Sequence, residues 1–257
     1  MNWNLYILFL PMKKKIFNLA GIEYCTNLSY LNLDDNYISD LTPLANLTKL
    51  EYLYLNYNQI QNISLLANLT ELILLGLGEN QITDITPLNN LVKLETLYLY
   101  NNPIVDLSPI SELVQLKKLD AEYLQISDIS FLSNLTQLTE LYLSYNQISD
   151  LSPLQNLTNL EILCLDENPI SDITPLANLT KMEILNLSDT SGISDIQPLE
   201  GMVNLKTLRL SDNKITDISP LKNMLYLEYL DLSYNLISDI SILSNKKYWL
   251  SVKCCER

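Results

Sequence analysis

The sequence predicts an α/β solenoid of stacked strand–turn units, and three observations carry that prediction. Leucine-type residues recur at Leu28, Leu50, Leu72, Leu94, Leu116, Leu138, Leu160, Met182, Leu205 and Leu227, spaced by 22 residues with one interval of 23. Each unit reads L-x-x-L-x-L-x-x-N-x-I-x-D-[IL]-x-P-L, as at Leu138, Leu141, Leu143, Asn146, Ile148, Asp150, Leu151, Pro153 and Leu154. A Ser/Thr-Pro step then falls at one fixed place, for example Thr42-Pro43, Thr86-Pro87, Ser108-Pro109, Ser152-Pro153, Thr174-Pro175 and Ser219-Pro220.

Each element follows from that spacing. Leu141 and Leu143 alternate as a strand does, one face inward and one outward. The asparagine comes where the chain must turn, and its amide can bond the backbone of that turn. It recurs as Asn36, Asn58, Asn80, Asn102, Asn146, Asn168, Asn213 and Asn235, which predicts an inward ladder interrupted at Leu124 and Thr190. The Ser/Thr-Pro step predicts a short 3₁₀ or helical turn on the outer, convex side, capped by the hydroxyl with proline in the first helical position. No unit can bury its apolar edge alone, so the units must stack with their parallel sheet on the concave face. A period in the twenties with this wording marks a leucine-rich repeat solenoid.

The array is expected to fill the chain as one domain over 1–257. Residues 1–27 read as an incomplete capping repeat, 28–248 as ten repeats and 249–257 as a partial repeat. Leu5, Leu8 and Leu10 have strand spacing, and Trp249, Val252 and Cys254 continue the register of Leu227, Leu230 and Leu232. The apolar run from Leu5 to Met12 also invites a signal-peptide reading, but its lysines (Lys13 to Lys15) follow the run instead of preceding it. A capping strand is the preferred reading. No stretch reaches the ~18 continuous apolar residues that a membrane span needs.

Composition excludes several classes. The chain has no histidine, which removes Ser-His-Asp, Cys-His and histidine–metal chemistry. Its five glycines form no phosphate loop. Cys25 and Cys164 lie six repeats apart, too far for a disulfide. Cys25 is expected in the core, where other units carry leucine, and Cys164 on the outward side of its strand. Neither a cofactor nor a metal is expected, and the free thiols favour a cytoplasmic setting over a secreted one. Of the net charge of −14, nine acids are one repeated position: Asp40, Asp84, Asp106, Asp128, Asp150, Asp172, Asp195, Asp217 and Asp239. Such aspartates accept N–H groups of the following turn, so a structural role is preferred to a cation column. No basic stripe suits nucleic acid or an anionic membrane.

Function is therefore expected on the concave face, at the third, fifth, seventh and eighth positions of each unit. These hold 11 of the 16 tyrosines and eleven acids, opposed only by Lys118 and Arg209. Tyrosine offers a large contact area and a hydroxyl at low rotameric cost, so this enrichment reads as a recognition surface. The predicted partner-binding residues are Tyr52, Tyr54, Tyr57, Tyr98, Tyr100, Asp120, Glu122, Tyr123, Tyr142, Tyr145, Asp166 and Glu167. The expected partner is another protein with a basic patch, met by a monomeric, non-enzymatic chain. Gly76 and Gly78 are expected to open a shallow notch rimmed by Tyr54, Tyr98 and Tyr100. Ile162, Cys164 and Ile184 are expected to form an apolar patch beside Asp166 and Glu167. A passive spacer remains the competing reading.

The segments Ile82-Thr83-Asp84-Ile85-Thr86-Pro87-Leu88 and Asn178-Leu179-Thr180 resemble the repeats of bacterial internalins, as does Leu19-Ala20-Gly21-Ile22-Glu23-Tyr24 the start of such arrays. The resemblance implies a right-handed curved solenoid whose concave face binds a protein. The 22-residue class is also similar to the intracellular leucine-rich-repeat regulatory subunit of protein phosphatase 1, which implies regulatory binding as the alternative.

Overall fold

The structure is a computed structural model that describes residues 15–190, 192–245 and 251–253. The expectations for Leu5, Leu8, Leu10, Trp249 and Cys254 lie outside the described residues. Two units, 15–124 and 125–253, are described in turn. Both have the predicted leucine-rich repeat fold of parallel strands and short turns, and among the described residues every helical segment is 3₁₀.

The first unit holds β1 (Tyr30–Asn32), β2 (Tyr52–Tyr54), β3 (Leu74–Gly76), β4 (Thr96–Tyr98) and β5 (Lys118–Asp120). They pair in parallel in chain order, with each residue opposite its equivalent 22 positions on, as in Tyr30↔Tyr52 and Leu53↔Leu75. The central leucines (Leu31, Leu53, Leu75, Leu97 and Leu119) point inward and are buried. Around them the leucine and isoleucine columns close the core, each side chain contributing roughly 1.5–3 kcal/mol by leaving water. The opposite side carries the 3₁₀ turns Thr42–Leu44, Ser64–Asn68, Thr86–Leu88 and Ser108–Ile110. Ahead of them, Ile22–Tyr24 closes less completely: Leu19 is buried, but Ile22 and Cys25 are only half-buried. Cys25 is thus not the core residue its register suggested.

The second unit repeats the plan with β6 (Glu140–Tyr142), β7 (Ile162–Cys164), β8 (Ile184–Asn186), β9 (Thr207–Arg209), β10 (Tyr229–Asp231) and β11 (Ser251–Lys253). The extra residue of the longer repeat is absorbed before β9, so that Leu185 still faces Leu208. Val252 stands opposite Leu230, which continues the register as expected.

Polar side chains join one repeat to the next. The Asn80 amide donates to Leu77 O and Gly78 O of its own turn and to Leu55 O one repeat earlier, while its Oδ1 accepts Ile60 N–H. Asn58, Asn168, Asn213 and Asn235 make the same set. The ladder is therefore a cross-repeat stitch as well as a turn brace. Of the two breaks, Leu124 is buried as an apolar filler, whereas the Thr190 hydroxyl donates to Asn213 Oδ1.

All nine repeated aspartates accept the N–H two residues on at 2.7–2.8 Å, and Asn62 does so in their place for Ser64. This corrects the expected hydroxyl cap. The Ser/Thr is the first residue of the 3₁₀ turn, proline follows it, and no capping bond comes from the residue before it. The carboxylate caps instead, and the hydroxyls of Thr42, Ser152 and Ser219 donate to it. These bonds hold the exposed carboxyls of Asp40, Asp84, Asp128, Asp172, Asp217 and Asp239 below the usual range.

Candidate functional site

After each strand the chain turns through a left-handed residue at the eighth position. Asp35, Tyr57, Glu79, Asn101 and Tyr123 in the first unit have φ of 51–57°, and Tyr145, Glu167, Asp189, Asp212 and Tyr234 in the second have φ of 55–58°. None is glycine, although a bulky residue pays a steric cost there. The backbone explains the geometry: Tyr57 N–H bonds Gly78 O and Glu79 N–H bonds Tyr100 O, so hydrogen bonding continues past the strand into the next repeat's turn. The turn swings the eighth side chain outward, leaving Tyr57, Tyr123 and Tyr145 exposed.

The seventh position behaves differently from expectation. At Asp34, Asn56, Gly78, Glu122, Ser188 and Ser233 its N–H takes a side-chain acceptor. Where the fifth residue is Asn or Asp, that residue accepts, as Asn32 does for Asp34, Asp120 for Glu122, Asn186 for Ser188 and Asp231 for Ser233. Where the fifth residue is Tyr54 or Gly76, the acceptor comes from one repeat back: Asp34 Oδ1 accepts Asn56 N–H and Asn56 Oδ1 accepts Gly78 N–H. Asn56, Gly78, Ser144 and Ser188 are consequently buried and do not face solvent.

This arrangement fills the space directly over the two glycines, although an opening rimmed by Tyr54, Tyr98 and Tyr100, as expected, is present. A Cβ on Gly76 would collide with the Asn56 amide, and one on Gly78 with the Tyr100 ring. The two glycines are seats for those side chains, and both are buried. The opening lies beside them, a recess of about 510 Å³ in the first unit. Tyr54, Tyr57, Tyr98, Tyr100 and Tyr123 line it together with Asp120 and Glu122, which brings seven of the predicted site residues into one place. Tyr52 is not in the lining and packs on Tyr30 at 6.2 Å. Asp34, Asn56 and Glu79 also line the recess, outside the predicted set although they occupy the same seventh and eighth positions.

The recess is aromatic-walled and electronegative. Tyr100 meets Tyr57 edge-on at 6.1 Å, and burial together with its bond to Tyr57 raises the Tyr100 phenol above its ordinary range. Burial pushes Tyr54 up as well. Asp120 is pushed up to about 6, first by burial and then by the charge of Glu122, against which the Glu122 N–H and Lys118 act. Burial raises Asp34 too, despite its bonds from Asn56. Lys118 lies 5.6 Å from the Tyr98 ring centroid.

The remaining predicted residues belong to the second unit. Tyr142 is half-buried and its hydroxyl donates to Glu140. Asp166 Oδ1 accepts both Ser144 Oγ and Asn186 Nδ2, so this carboxylate links three repeats, while Glu167 is exposed at a left-handed turn. Ile162 pairs with Ile184, and both are half-buried, as is Cys164 on the outward side of β7. Among the described residues no group of three or more acids or cysteines is placed to hold a metal ion, and no helix is long and apolar enough to cross a membrane.

The family model for Leucine Rich repeats (2 copies) matches residues 26–68, 48–90, 70–113, 114–156, 158–201 and 203–245. The solved internalin InlF of Listeria monocytogenes is 42% identical with a TM-score of 0.88, over 94% of this chain and 72% of its own. The chain belongs to the internalin family of leucine-rich repeat proteins. Internalin C2 of Listeria monocytogenes is 38% identical with a TM-score of 0.63, covering 81% of this internalin-family chain and 83% of its own. A leucine-rich repeat protein of Leptospira interrogans, at 24% identity and a TM-score of 0.77 over 89% and 68% of the two chains, shares the fold. Comparison with curated protein sequences gives no match. As an internalin-family array of such repeats, the chain is a protein-binding module.

Proposed function

We propose that this module binds its partner with the tyrosine-rich, acidic strand face, and that the partner presents a basic patch. The observation that carries the reading is the convergence of five tyrosines with Asp120 and Glu122 around one recess. Rigid aromatic side chains gain contact area with little rotamer entropy to lose, and tyrosine is enriched among residues that dominate binding energy. The tyrosines here are further fixed by one another, as Tyr30 and Tyr54 are at 5.7 Å. A spacer has no need of such a surface. Tyr52, on β2 of the same unit, would extend the contact beyond the recess, and Tyr142, Tyr145, Asp166 and Glu167 are proposed as contact residues of the second unit in its own right.

The test is site-specific photo-crosslinking of the full chain, with a benzoylphenylalanine placed at Tyr98 or, for comparison, at Asn90 on the turn side, which is exposed. The proposal expects a discrete crosslinked protein from position 98 and none from 90. Equal yields from the two positions, or no product from 98, would overturn it.

A further inference from the structure

The recess is more specific than a general contact surface. Its lining carries four carboxylates, those of Asp34, Glu79, Asp120 and Glu122, and no lysine or arginine. Tyrosine rings supply the walls between them. An aromatic face attracts a cation through its quadrupole, and a carboxylate accepts the cation's N–H groups. Within this chain the same pairing is already made by Lys118 on Tyr98, Lys15 on Tyr37 and, in the second unit, Arg209 on Tyr229 at 5.2 Å.

We infer that the recess is a seat for a single arginine side chain of the partner, its guanidinium laid against the Tyr100 ring and bonded to Asp120 and Glu122, with the Tyr98 ring, which already carries Lys118 at 5.6 Å, closing the edge of the seat. This rests on the protein-binding reading above and names the chemistry of its central contact. Arginine fits better than lysine on two grounds. Its guanidinium is planar, which suits a ring wall, and it is more weakly hydrated than an ammonium, so it enters a half-buried recess at lower cost. It also presents donors in a fixed fork, and Asp120 and Glu122, two residues apart at the end of β5, offer acceptors from one edge. A metal ion is a poorer occupant, since the acids are spread around the recess and not gathered to ligand distance.

The experiment is an NMR titration of the full chain carrying ¹³C-labelled tyrosine, run at neutral pH. The probes are N-acetylarginine amide, N-acetyllysine amide and the neutral isostere N-acetylcitrulline amide. The Tyr98 and Tyr100 ring signals should shift saturably with the arginine probe, more weakly with lysine and not with citrulline. Asp120→Asn/Glu122→Gln, checked for an unchanged fold by its tyrosine spectrum, should weaken the arginine response about fivefold or more. An equal response to citrulline, an unaltered response in the double variant, or equal shifts at Tyr229 and Tyr234 would overturn the inference. A null titration alongside a protein crosslink from position 98 removes the arginine seat and leaves the binding reading intact. Loss of that crosslink removes the reading itself.

Discussion

At the residue scale, single polar side chains do work that the leucines cannot. Asn80 satisfies three carbonyls and one N–H, all in buried surroundings. Asn80→Ala should therefore cost ~1–3 kcal/mol, because the orphaned backbone groups lose their partners without regaining water. Urea unfolding checks this, and an unchanged midpoint would contradict the stitch. Asp120 acts in the opposite sense. Its folded pKa is raised to about 6 from 3.8, so its contribution is present at low pH and is lost as pH rises through that window. Asp120→Asn should then stabilise the protein by about 1–2 kcal/mol at neutral pH, after allowance for partial solvent screening, and by little below about pH 4. Asparagine keeps the acceptor for Glu122 N–H and already stands at the equivalent Asn32 and Asn186. Thermal melts of the two proteins across pH measure the difference directly.

At the element scale, the 22-residue period made strands, registers and turns legible, because equivalent residues must stand side by side when identical units stack. Two local features were not legible for a physical reason. The aspartates were legible as acceptors of the turn N–H groups, and the bonds to Asp40, Asp84 and their equivalents bear this out. What Ser/Thr-Pro did not reveal is that its hydroxyl supplies no cap and instead donates to that carboxylate, as Thr42 does to Asp40. Where the fifth residue is Tyr54 or Gly76, the fate of the seventh position depends on a neighbouring repeat. Asn56 lies over Gly76 because Asp34 holds it from one side and Gly78 N–H from the other. A pattern read along one unit does not contain that information, and so glycine suggested an opening where it provides a seat. Gly78→Ala should displace the Tyr100 ring and break its edge contact with Tyr57, at a cost of about 1–3 kcal/mol from overpacking. A near-ultraviolet circular dichroism spectrum and melting temperature identical to the parent would contradict this packing.

At the scale of the whole molecule, the sequence carries one design decision repeated ten times and a second made locally. The repeated decision places leucine, asparagine and aspartate where stacking and turns require them, and it accounts for nine acids without invoking a ligand. The local decision places tyrosines and acids on the strand face, and the central claim is that this face binds a protein. Its acids should make association slow as salt rises, since steering by opposite charge is screened over about 10 Å at 0.1 M. With the partner captured by crosslinking in hand, the decisive measurement is its affinity for wild type, Tyr98→Ala and Asn90→Ala by isothermal titration calorimetry. Tyr98→Ala should weaken binding by ~2 kcal/mol and Asn90→Ala should leave it unchanged, with little effect on folding in either case. Equal affinity for all three proteins would contradict the claim.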